Sequence, residues 1–160
     1  MAKDKQKKKE GETPKSIQNR RARFDYAIED SIETGVVLVG SEVKSVFKGR
    51  ANLTDSFCIV RGGELWLINA DIEPYENTAA FIPERRRDRK LLAHRREIVT
   101  LERKAMEKGF ALIPTSMYFK NGKVKVQVAM ARGKKEYDKR DQIAKDDTRR
   151  EVERMRSMRI

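Results

Sequence analysis

Period-two alternation marks the apolar segments of this chain, and it predicts a mainly β fold. In KVKVQVAM the residues Val124, Val126, Val128 and Met130 alternate with Lys123, Lys125 and Gln127, which buries one face of a strand and wets the other. Two dipeptides, Gly62-Gly63 and Asn121-Gly122, stand between pairs of such runs and can supply the positive φ of tight hairpin turns. After Arg132-Gly133 the alternation stops, and up to Ile160 apolar positions are too sparse for a helix face to drive its own packing. The sum is six to seven short antiparallel strands with two or three inserted helices and a basic C-terminal tail. That pattern favours a small closed or partly open barrel of the OB type over a sandwich.

At 160 residues the chain has room for one domain of about 100–150 residues plus extensions. Three regions are expected: a flexible basic arm over 1–18, a barrel over 19–132, and a tail over 133–160. The formal net charge of +12 points to a polyanionic partner, because each Lys or Arg set against a phosphate releases condensed counterions. Nucleic acid leads over a membrane surface, since no segment approaches the roughly 18–20 apolar residues of a spanning helix and no basic amphipathic helix carries Trp or Phe on its other face. The start, MAKDKQKKKEGE, has no apolar region of the kind a secretory signal needs, so a cytoplasmic protein is expected. Cys58 is the single cysteine and sits in an apolar run, where a thiol behaves as a small hydrophobe. With His94 the only histidine, neither a Cys-His nor a histidine-rich metal site is expected, and no cofactor.

In chain order, the run Asn19-Arg20-Arg21-Ala22-Arg23 is the first concentrated cationic feature, either a solvated leader to a strand or a phosphate-contacting segment. Phe24 to Glu29 and Thr34 to Val39 read as two strands. Between them Glu29, Asp30 and Glu33 form either a solvated turn or a carboxylate site that accepts from base or ribose donors or orients an arginine. Ser41 to Gly49 switches to helical spacing, with Ser41 as N-cap and Gly49 as C-cap. Val43, Val46 and Phe47 plug the barrel, while Lys44 and Lys48 share another face, solvated or against a nucleic-acid backbone.

Phe57 to Val60 and Leu65 to Ile68 flank Gly62-Gly63, with Trp66 as a core or sheet-face aromatic. A short apolar piece follows at Ala79 to Ile82. The segment from about Asp88 to Lys108 is expected to be a helix stopped by Gly109. Arg85 to Lys90 then crowd its entrance, where the helix dipole disfavours them, and Arg89 and Lys90 become candidates for an external anion. Phe110 to Phe119 and Lys123 to Ala131 form the last hairpin, with Pro114 confined to an edge or bulge.

Five blocks carry a resemblance: Asn19-Arg20-Arg21-Ala22-Arg23, Gly40-Ser41-Glu42-Val43-Lys44-Ser45, Asn52-Leu53-Thr54-Asp55-Ser56, Arg89-Lys90-Leu91-Leu92 and Gly133-Lys134-Lys135-Glu136-Tyr137-Asp138-Lys139-Arg140. In this order and spacing they resemble the small protein B family, the SsrA-binding proteins of bacteria. The resemblance implies a barrel that binds the tRNA-like part of tmRNA and, with elongation factor Tu, accompanies it to stalled ribosomes. There it implies contact with small-subunit RNA, in the ribosomal A site and the messenger channel. Carried over by position, it implies Asn19, Glu33 and Leu92 at the RNA-binding face. It implies Asp138, Lys139 and Arg140 in accommodation, Met155 in the distal tail helix, and Tyr137 where some relatives have His, either ring being able to stack on a base.

Tail pairs Glu136 with Arg140, Asp141 with Lys145 and Asp146 with Arg150 stand at i,i+4 in the favourable order, but each is worth only a few tenths of a kcal/mol. The tail is therefore expected to be disordered when free and helical on the ribosome. A non-enzymatic, monomeric adaptor is the expected function. Its rivals are a general ribosomal or RNA-chaperone protein and a nuclease using Glu29, Asp30 and Glu33 with a divalent ion.

Overall fold

A computed structural model describes residues 13–76, 81–134 and 136–158, with backbone alone at 136–138. The elements in order are β1 (Ile17–Gln18), α1 (Arg20–Asp25), β2 (Tyr26–Val36), α2 (Gly40–Phe47), β3 (Ala51–Asn52), β4 (Phe57–Arg61) and β5 (Glu64–Ile68). They continue with β6 (Asp71–Ile72), β7 (Arg89–Leu92), α3 (Arg95–Met106), β8 (Phe110–Lys120), β9 (Lys123–Gly133) and α4 (Glu136–Met158).

Six antiparallel strands close a ring in the order β8-β4-β5-β7-β2-β9, because β9 pairs with β8 as well as β2. Closure removes the open edges that a sheet of this size would otherwise expose. β1 adds to β8 through Ile17 and Gln18, and β3 with β6 forms a separate two-stranded ribbon. The interior is filled by the alternating residues Val124, Val126, Val128, Leu65, Leu67, Leu91 and Met117. α2 sends Val46 into this core and α3 sends Leu101, both fully buried. The two helices sit toward opposite ends of the β2–β9 pair: Val43 of α2 borders Gly35 and Val124, whereas Thr100 and Leu101 of α3 border Asp30 and Met130.

Both hairpins form at the expected dipeptides. Gly62 and Gly63 have φ of 60° and 74°, and Asn121 and Gly122 have 51° and 74°, the left-handed pair that a two-residue turn between twisted strands requires. Pro114 falls at a bulge, where the register of β8 against β9 shifts between Pro114 and Ser116.

Three local expectations are corrected. Glu29, Asp30 and Glu33 lie in no turn, for β2 runs unbroken through them with a bulge between Ile28 and Asp30. Pairing with β9 along its whole length outweighs the poor strand propensity of the acids, and Glu29 meets Arg132 at 3.3 Å. The segment expected as one helix from Asp88 is strand β7 followed by α3 from Arg95, because Leu91 and Arg89 face inward while β7 pairs with both β5 and β2. Ser41 is not the cap of α2. The helix starts at Gly40 with Val39 as its cap, two residues earlier than a Ser41 cap implies, and the Glu42 carboxylate accepts the Val39 N–H at 3.0 Å.

The Arg89 side chain is fully buried. Its Nε and Nη2 donate to one Glu42 oxygen at 2.8 and 2.5 Å, and Nη1 donates to the Ala70 carbonyl at 2.7 Å. Arg87 donates to the other Glu42 oxygen. Burial raises the Glu42 pKa, but the bonds from Arg87, Val39 N–H and Arg89 outweigh it and hold the carboxyl below its ordinary value.

The tail carries helix α4, the conformation expected of it on the ribosome. No Gly or Pro follows Gly133, so nothing in the covalent chain interrupts a helix. Arg149 pairs with Glu153 at 3.7 Å, and Arg150 pairs with Asp147 at 4.0 Å instead of the expected Asp146. Every residue from 147 to 158 is exposed. Most of the expected N-terminal arm (1–12), Lys135, and residues 77–80, which include Ala79 and Ala80 of the short apolar piece, lie outside the described residues.

Candidate nucleic-acid interface

The barrel presents one outer face built by register across β8, β9, β2 and β7. Tyr118 stands opposite Lys125, Lys125 opposite Gly35, and Gly35 opposite Leu92. One step along, Ser116, Gln127 and Glu33 form a second row, and Lys120 faces Lys123 beside the turn. These residues share the wet side because their neighbours Val124, Val126 and Thr34 take the dry one. Two lysines directly opposite each other repel, and of this pair Lys120 turns its Nζ to Glu33 at 3.2 Å.

Glu33 is bonded from both sides in this face. Oε2 accepts from the Tyr118 hydroxyl, and Lys120 Nζ donates to Oε1 at 3.2 Å and to Oε2 at 3.5 Å. The Tyr118 bond, aided by Lys120 and Lys125 and opposed by desolvation, holds the Glu33 carboxyl below its ordinary pKa. Burial and the carboxylate together push the Tyr118 hydroxyl up to about 12. Leu92 is 53% exposed and lies over Gly35, where an added Cβ would come 3.3 Å from Leu92 Cβ; the glycine lets β7 carry a large apolar residue here. Gly35, Leu38, Val43, Leu92, Lys123 and Lys125 line an adjoining groove of about 330 Å³. Lys90 points outward on the same side of β7 as Leu92 and pairs with Glu64 at 3.0 Å.

A second group gathers where α1 meets the root of the tail. Asn19 caps α1: its Oδ1 accepts the Ala22 N–H at 3.1 Å and its Nδ2 donates to the carbonyls of Leu53 and Pro114 at 3.2 and 2.8 Å. Arg20, Arg21 and Arg23 are exposed on the short helix so fixed. Arg21 meets Asp25 at 3.4 Å and Asp55 at 3.7 Å. The Lys134 N–H donates to the Asp25 carbonyl at 2.8 Å, directly after Gly133 ends β9, and Lys139 Nζ pairs with the Asp25 carboxylate at 3.2 Å. On α2, Lys44 and Lys48 stand 5.3 and 5.6 Å from the centre of the Tyr75 ring.

The residues expected at a binding face thus divide. Glu33 and Leu92 come together on the outer face, with Lys90 beside them. Arg20, Arg21 and Arg23 are accessible on α1, and Lys44 on α2. Asn19, 3% exposed, and Arg89 are turned into the body, and their side chains are spent on holding α1 and β7 in place. In the tail Arg140 is exposed and Met155 is 65% exposed, while the side chains of Tyr137 and Asp138 lie outside the described set. Tyr118, Lys120, Lys123, Lys125 and Gln127 were not named from the sequence as contacts. The alternation of KVKVQV nevertheless already set three of them on the wet face.

Among the described residues, no His, Cys, Asp and Glu side chains cluster as metal ligands. Glu29, Asp30 and Glu33 serve three separate partners: Arg132, the Ser31 N–H at 2.8 Å, and the Tyr118–Lys120 pair. Cys58 is buried, and desolvation raises its thiol pKa, so it is no nucleophile.

A family model described as SmpB protein matches residues 16–158. A protein named SsrA-binding protein from Thermobifida fusca (strain YX) is 52% identical over 151 residues, 94% of each chain. Another of that name from Desulforudis audaxviator (strain MP104C) is 53% identical over 137 residues, 86% of this chain and 90% of its own. Among solved structures, a chain described under "tmRNA-SmpB: a journey to the center of the bacterial ribosome" superposes with a TM-score of 0.66 at 43% identity, covering 76% of this chain and 85% of that one.

Proposed function

The chain belongs to the SmpB family, and from that premise we propose that it binds the tRNA-like domain of tmRNA and delivers it to stalled ribosomes for trans-translation. It acts as an adaptor without a chemical step of its own. The observation that carries this reading is the outer face of β8, β9, β2 and β7, where Lys120, Lys123 and Lys125 surround Glu33 and Leu92. Such a face suits RNA, which is held by phosphate contacts and read through unstacked bases.

The barrel holds the RNA, and Arg20, Arg21 and Arg23 of α1, with Lys44 of α2, extend its phosphate contacts. The tail from Gly133 works on the ribosome, in the A site and messenger channel against small-subunit RNA. There Lys134, Lys135, Tyr137, Asp138, Lys139 and Arg140 serve accommodation, and Met155 lies on the distal helix. Elongation factor Tu shares the delivery complex, and the protein acts as a cytoplasmic monomer.

The test compares the full chain with a chain ending at Lys134, a cut that spares β9 and its last bond to Asp25. Both should bind tRNA-like-domain RNA in preference to an unrelated hairpin, and only the full chain should support tagging of stalled products. Loss of both activities, or of neither, overturns this division of labour. Equal binding to the unrelated hairpin would instead mark a general RNA chaperone.

A further inference from the structure

A chain tied down at one point can swing beyond it, whereas a second tie sets its direction. The tail has both ties on the same short helix. The first lies at Lys134, whose N–H donates to the Asp25 carbonyl at 2.8 Å and whose Nζ donates to the Arg23 carbonyl at 3.2 Å. Both acceptors belong to the last turn of α1, where a helix leaves its carbonyls without partners of its own. The second tie is a side chain inside α4: Lys139 Nζ lies 3.2 Å from Asp25 Oδ1. Asp25 thus meets the tail twice, by its carbonyl and by its carboxylate.

α1 is a fixed mount for these ties. Asn19 fastens its start to the Leu53 and Pro114 carbonyls, and Tyr26, directly after its end, pairs with Gly133 of β9. The cover on α4 agrees with this. Among its described side chains the partly covered ones are Lys139, Gln142 and Asp146, which recur at i, i+3 and i+7 and so share one side of the helix. The covered side is therefore the one that carries Lys139.

We propose that Asp25 is a positioning residue for the tail: its carboxylate, by holding Lys139, sets the direction in which α4 leaves the barrel, and delivery depends on that direction. This rests on the adaptor reading above, in which the tail works on the ribosome, and it gives Lys139 a task within the protein itself. An ion pair this exposed shifts a balance of orientations by about threefold to fivefold, enough to bias a direction though not to fold a helix.

The test reads the free protein and the reaction separately. Amide relaxation in the free full-length chain should show residues 139–146 more restricted than 147–158. Asp25→Asn and Lys139→Asp should each erase that difference, and Asp25→Lys combined with Lys139→Asp should restore it through the exchanged pair. In Asp25→Asn the Arg21 guanidinium keeps Asp55, 3.7 Å away, so the substitution releases Lys139 and little else. Tagging of stalled products by Asp25→Asn should be about threefold to fivefold slower. Its binding of tRNA-like-domain RNA should be at least as tight as that of the wild type, since a negative charge beside Arg21 is lost. The proposal is overturned if the root of the tail moves freely in the wild type, if Asp25→Asn leaves it restricted, or if the exchanged pair does not restore it. Weaker RNA binding by Asp25→Asn overturns it too, for the residue then serves the barrel. A wild-type chain that tags nothing brings down the adaptor reading itself, whereas wild-type tagging matched by Asp25→Asn brings down this proposal alone.

Discussion

Glu42 concentrates more of the fold's electrostatics than any surface pair. It accepts from Val39 N–H, Arg87 and the fully buried Arg89, so its removal would leave a guanidinium without a counter-charge in the core. Glu42→Ala should lower the unfolding free energy in urea by about 3–5 kcal/mol, the usual cost of breaking a buried ion pair from one side. The pH dependence has a definite sign. A lowered folded-state pKa means that the unfolded chain binds more protons, so the contribution is full above the ordinary carboxylate pKa of about 4.3 and is lost as pH falls through the folded value. Glu42→Gln should flatten that acid limb; an unchanged limb would remove Glu42 from the account. The same residue shows why Arg89 was misjudged from sequence. Glu42 is 47 positions away, and nothing within the run Arg85 to Lys90 separates an arginine bound for the core from one bound for solvent.

At the scale of elements, the two hairpins were legible because turn chemistry is local, and the alternation of β9 gave its faces directly. β2 and β7 were not. The acids of β2 have poor strand propensity, and β7 is four residues long inside a run of arginines; both take their form from partners far along the chain. Of the interface, residue types alone pointed to Arg20, Arg21, Arg23, Lys44 and Lys90 but not to Lys120, Lys123 or Lys125, and left Glu33 with two readings; Leu92 needed the family resemblance. The meeting of Glu33 and Leu92 across Gly35 depends on the register of β2 with β7, which no short-range pattern encodes. The helix α4 is the opposite case, a segment with ample local tendency and little tertiary support, exposed throughout 147 to 158. Its paired charges contribute only tenths of a kcal/mol apiece, too little to protect isolated amides. Amide exchange should therefore show near-random-coil rates beyond residue 147 in the free protein and strong protection on the ribosome. Protection in the free protein would mean that α4 stands by itself.

For the whole molecule the net charge of +12 governs how RNA binding responds to salt. Each phosphate contact contributes roughly 0.7–0.9 to the slope of log affinity against log salt. Lys123→Gln should reduce that slope by about one contact while relieving its opposition to Lys120, giving a fold equally stable or firmer by a few tenths of a kcal/mol. An unchanged slope would place Lys123 outside the phosphate track.

Among the described residues, the bond from Lys134 N–H to the Asp25 carbonyl at the end of α1 is the last backbone pairing between the tail and the body. Beyond it α4 has 23 residues, and at about 1.5 Å per residue it is some 34 Å long. Wherever the whole helix is held, as on the ribosome, it is in mechanical terms a lever about as long as a small domain is wide, with the Lys139–Asp25 ion pair close to its fulcrum. A turn of a few degrees at that pair moves the neighbourhood of Met155 by ångströms, so rearrangement at the root of the tail is magnified at its tip.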